Sequence, residues 1–106
     1  MNVNDAMARL NNNKKLYIML LKKFDAKKML DDLLEQVKSG DISAAAASAH
    51  TIKGLAANLS LADLREKAES LDIKFKGGEI NVDTSEIESS TANTIEAINA
   101  WIAENS

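Results

Sequence analysis

Apolar residues recur along this chain at spacings of three and four, the repeat that lines one face of an α-helix, and short polar clusters interrupt the repeat. Ala6, Met7 and Leu10 share one side of a short first helix that Asn4 or Asp5 can cap. Leu16, Tyr17, Leu20, Leu21 and Phe24 make the next stripe, followed by Leu30, Leu33, Leu34 and Val37. Around Asp25 the pattern fits two helices as well as one long helix that is interrupted there. A fourth stripe, rich in alanine, runs through Ile42, Ala45, Ala49, Ile52, Ala56 and Leu59. Leu61, Leu64, Ala68, Leu71 and Phe75 form the most regular one, and Ile87, Thr91, Ile95, Ile98 and Ile102 carry the last.

The residues between the stripes are helix stops and starts. Asn11-Asn12-Asn13 ends one helix and opens another, because asparagine tolerates the left-handed conformation and also caps. Gly40 supplies a stop and Asp41 a cap, so the alanine-rich helix begins straight after a tight turn. Ser60-Leu61-Ala62-Asp63 reads as a capping turn with an acid at its third position. Gly77-Gly78 ends the following helix, and Asp83 or Ser85 caps the last one with Glu86 or Glu88 behind it. Two local features run against this order. Lys14 and Lys15 oppose the dipole of the helix they begin, and Ser89-Ser90-Thr91-Ala92-Asn93-Thr94 are poor helix formers that need tertiary packing. Four substantial helices with one apolar face each, joined by short turns, close most economically as an antiparallel four-helix bundle, here with a short extra N-terminal helix. The expected fold is all-α, one domain over residues 1–106.

Composition narrows the function classes. In 106 residues, 45% are hydrophobic but only 4% aromatic, and proline is absent, which suits helices packed through Leu, Ile and Ala. Thirteen basic and sixteen acidic residues give a net charge of -3, so no phosphate backbone is attracted and no nucleic-acid partner is expected. The absence of cysteine removes disulfides and thiolate metal sites, and a single histidine removes multi-histidine ones. No apolar run approaches the roughly 18 residues of a spanning helix, and the polar start Met1-Asn2-Val3-Asn4-Asp5 is no signal peptide. The expectation is a cytoplasmic chain without direct membrane contact. Lys14-Lys15, Lys22-Lys23 and Lys27-Lys28 read as a solvated face, Trp101 as an anchor for the last helix.

Chemistry concentrates at Ala49-His50-Thr51-Ile52-Lys53-Gly54. A helical wheel places His50 roughly 130° from the middle of its stripe, facing outward. Ala46, Ala47, Lys53 and Gly54 surround it one turn either way, with Ser43 and Ala57 a turn beyond, so the imidazole stands clear with one ammonium in reach. A glycine inside a helix costs roughly 1 kcal/mol relative to alanine, so Gly54 requires a reason. Clearance for an incoming partner is one; a second helix crossing close by is another. A neutral imidazole is a competent nucleophile at neutral pH, and a phosphoryl group on its outer nitrogen would be offset by Lys53.

This run resembles the active helix of the histidine phosphotransfer (HPt) family, approximately A-H-x-L-K-G followed by small residues. The resemblance extends to the N-terminal part, where Asn13, Leu16, Tyr17, Leu20, Leu21 and Phe24 fall as the family has them, and to the Gly40-Asp41 turn. Asn11 and Asn12 replace two glycines, Ser60 a frequent glycine, Leu55 a common small residue and Asp72 a frequent glutamate. The resemblance implies a phosphorelay intermediate. His50 would accept a phosphoryl group from a receiver-domain aspartyl phosphate and return it to another receiver, with Lys53 stabilising its charge and Ala46, Ala47, Gly54 and Ala57 forming the docking surface. It implies response-regulator receivers as partners, free or within a hybrid sensor kinase, with magnesium on the receiver and no metal or cofactor here. There is no P-loop or glycine-rich nucleotide loop, so the chain should have no ATP-dependent kinase activity of its own. Two other readings stand beside it: a non-catalytic helical adaptor binding through the Ala/Gly-lined face, and an HPt domain fed directly by a chemotaxis-type kinase.

Overall fold

The computed structural model describes residues 1–106 and contains six helices: α1 (Val3–Arg9), α2 (Lys14–Lys23), α3 (Ala26–Ser39), α4 (Ile42–Asn58), α5 (Ala62–Lys76) and α6 (Ser85–Asn105). The four longer ones form the bundle. Each packs on its neighbour in sequence, and α6 returns to α3, which closes the ring with consecutive helices antiparallel. The 21 × 18 Å cross-section fits four helices two by two at roughly 10 Å spacing. Asp25 settles the ambiguity of the pattern: its carboxylate accepts the Lys28 N–H at 3.2 Å and starts α3 as a separate helix.

The stripes turn inward. Leu30, Leu33, Ala45, Ala49, Ile52, Ala56, Leu64, Ala68, Leu71, Phe75, Ile87 and Ile98 are buried in one cluster. Alanines along α4 bring its backbone near both flanking helices, so the rod that carries His50 is held from two sides. Thr91 and Ser90 are also buried on α6. Thr91 donates to the Ile87 carbonyl at 2.7 Å and Ser90 to Asp63 at 2.6 Å, which satisfies the hydroxyls of this poor helix-forming segment.

Helices α1 and α2 clamp the turn between α4 and α5. The Asn2 N–H donates to the Ser60 carbonyl at 2.9 Å, the Ser60 hydroxyl to Asp5 at 2.6 Å, and the buried Tyr17 hydroxyl to the Leu59 carbonyl at 2.7 Å. The Ser60 hydroxyl is the main reason that the Asp5 carboxyl lies below its ordinary pKa. Burial, then the Asp5 charge, pushes the Tyr17 phenol up. Trp101 does anchor α6 here, its ring 5.2 Å from that of Tyr17.

Three caps differ from the expected ones. Asn2 rather than Asn4 or Asp5 caps α1, because its side chain reaches the Asp5 N–H at 3.0 Å. Ser60 is no cap: its hydroxyl is committed to Asp5, and Leu61 precedes α5 without a side-chain cap bond. At α6 the position falls on Thr84, while Asp83 accepts the Ser85 N–H at 2.9 Å. Asn11, Asn12 and Ser60, which stand where the resembled family has glycine, all hold left-handed backbone with φ of 57°, 61° and 58°. The Ser60 hydroxyl bond helps to hold a conformation that glycine adopts freely.

Candidate functional site

Gly40, with φ +76°, ends α3, and the Asp41 carboxylate accepts the Ala44 N–H at 3.1 Å to begin α4. That turn sets the rotation of α4. With Ala45, Ala49, Ile52 and Ala56 inward, His50 faces out midway along the helix, its side chain 65% exposed.

The ring has a neighbour that the pattern along α4 alone does not reach. Asp72, on α5 and 2% exposed, places Oδ2 at 3.7 Å from His50 Nδ1. The same oxygen accepts from Lys53 Nζ at 3.4 Å and from Lys76 Nζ at 3.0 Å. Three nitrogens from two helices therefore converge on one carboxylate oxygen. Oδ1 is buried without a hydrogen-bond partner. Burial raises the Asp72 pKa, but the hydrogen bonds and charges of Lys76 and Lys53 outweigh it and hold the carboxyl below its ordinary value. At neutral pH the group is a fixed negative charge behind the imidazole. Its signal in the sequence is only that an acid follows Leu71 in the α5 stripe, at the position where the resembled family has a frequent glutamate.

The surroundings of the ring are small. Ala47 and Gly54 are exposed, and Ala46 and Ala57 are half-buried on the flanks. A Cβ built on Gly54 would meet nothing within 4 Å, so no helix crosses there and close packing is not the reason for this glycine. Leu55 is turned away and lines an apolar hollow with Leu10, Leu20, Phe24 and Met29. Lys53, half-buried, is tied to Asp72 rather than free in solvent. The lysine pairs are exposed, with Lys27 and Lys28 bridging to Asp31 and Asp32 one turn along α3.

Chemically, the arrangement presents an imidazole whose Nδ1 faces a carboxylate and whose Nε2 lies on the other side of the ring. A carboxylate beside one nitrogen favours the proton there and leaves the lone pair on the other. No helix is long and apolar enough to cross a membrane. Against known proteins, the family model described as Hpt domain matches residues 23–103, which takes in α3 to α5 and nearly all of α6. No curated protein and no solved structure matches the chain.

Proposed function

Because the chain belongs to the Hpt domain family, whose members carry phosphoryl groups in phosphorelays and meet receiver domains, we propose that His50 is its phosphoryl acceptor and donor. The donor is a receiver-domain aspartyl phosphate and the next acceptor the aspartate of another receiver. One observation carries this reading: the only imidazole in the chain is exposed, with its Nδ1 backed by a buried carboxylate.

The step follows from that arrangement. The Nε2 lone pair attacks phosphorus, the P–O bond of the acyl phosphate breaks, and its electron pair leaves with the receiver carboxylate. The proton stays on Nδ1, so the phosphorylated ring is cationic and Asp72 stabilises it from behind. In the return step the leaving group is then a neutral imidazole rather than an imidazolate, which keeps transfer reversible, as a carrier requires. Lys53, one turn along α4 from His50, offsets the charge of the bound phosphoryl group. Ala46, Ala47, Gly54 and Ala57 leave room for the ring to enter a partner's site, where positioning supplies most of the rate. Magnesium belongs to the receiver.

The test is transfer of labelled phosphate from phosphorylated receivers. Acid-labile, base-stable label is expected on the chain and reduced to background in His50→Gln. Label retained by that variant contradicts the assignment of His50; label gained only from an ATP-loaded kinase domain contradicts the assignment of the donor.

A further inference from the structure

The Asp72 carboxylate holds more cationic partners than its own neutralisation needs. Lys76 reaches Oδ2 along α5 itself, one turn on, at 3.0 Å, and Lys53 reaches the same oxygen from α4 at 3.4 Å. Either ammonium alone would balance the single negative charge. The two also differ in surroundings: the Lys76 side chain is 61% exposed, whereas that of Lys53 is 28% exposed. Lys53 is the one on the helix of His50.

We propose that Lys76 is a positioning residue that holds the Asp72 carboxylate in place when Lys53 leaves it, so that Lys53 can move between that carboxylate and the phosphoryl group on His50. This inference rests on His50 being the acceptor. Without Lys76, the Lys53 ammonium would be the one lysine partner of a carboxylate that is 2% exposed, and withdrawing it would leave a buried charge unpaired. Lys53 would then be fixed on Asp72 and lost to the phosphate. Charge counting agrees. With a neutral ring, Asp72, Lys53 and Lys76 sum to one positive charge; transfer adds about two negative charges on the phosphoryl group and one positive charge on the ring, which brings the cluster close to neutral. Removing Lys76 makes the resting cluster neutral and leaves it net negative after transfer. The long, exposed stem of Lys76 suits this role, because it keeps contact with Oδ2 from the solvent side and leaves the α4 side to Lys53.

A bland ion pair within α5 would stabilise the helix without reference to Lys53, and a double-mutant cycle separates the two roles. The initial rate of phosphoryl transfer from a phosphorylated receiver is measured for the wild type, Lys76→Met, Lys53→Gln and the double variant, each checked for helical content. Lys76→Gln replaces Lys76→Met if the latter does not fold. The expected result is a fall on the order of tenfold for Lys76→Met in the wild-type background, little further fall in the Lys53→Gln background, and recovery in Lys76→Arg. An equal fall in both backgrounds, or none in either, overturns the inference and leaves the assignment of His50 standing. Absence of transfer to the wild-type chain from every receiver overturns both.

Discussion

Gly54 sits on the exposed side of α4 with open space around the place of a Cβ. Its backbone is ordinary helix, so alanine would fit, and it would add about 1 kcal/mol of helix stability. A protein selected only for stability has no use for glycine there; one that must admit a partner surface beside His50 does. Gly54→Ala is therefore expected to raise the melting temperature by a few degrees. Gly54→Leu is expected to keep the fold and slow transfer by about tenfold to a hundredfold, because misplacement of the reacting atoms is costly. Transfer by Gly54→Leu at the wild-type rate would show that the clearance has no function. At this scale the residues on α4 are legible in the sequence, since one helical wheel fixes the relations of His50, Lys53, Gly54 and the alanines. Asp72 and Lys76 do not group with them in the same way. They belong to α5, and nothing in the local spacing says which turn of α5 lies against His50.

Helix α4 owes its start to two residues of opposite kind. Gly40 holds φ +76° and donates its N–H to the Val37 carbonyl at 3.1 Å, while Asp41 caps the helix that follows. A Cβ at Gly40 would meet nothing within 4 Å, so only the left-handed backbone argues against a side chain. Gly40→Ala should therefore cost about 1 kcal/mol, a drop of roughly 4–8 °C in a thermal melt of a domain this size. An unchanged melting temperature would show that the turn does not need this conformation. Turns with glycine or an Asx residue can be read from the sequence because glycine adopts the left-handed backbone freely and the Asx side chain itself does the capping. The starts of α5 and α6 cannot: Ser60 is drawn to Asp5, and Leu61 and Thr84 precede their helices without a side-chain cap bond.

The molecule as a whole is a closed ring of four helices with one end clamped. Its class and its stripes follow from periodicity, since burying six apolar faces in a chain of this length leaves few alternatives to a bundle. The clamp does not follow. Its bonds join Tyr17 to Leu59 and Asp5 to Ser60, across 42 and 55 positions of sequence, and no local pattern encodes such pairings. The consequence is an α4 packed on α3 and α5 with its last turn held by α1 and α2, from which a single ring projects outward. On the proposed reading, that ring carries the phosphoryl group on the nitrogen away from Asp72. Nitrogen-15 and phosphorus-31 NMR of the phosphorylated protein tests this most directly: phosphorus coupled to Nε2 of His50 is predicted, and phosphorus on Nδ1, or on any other residue, would contradict it.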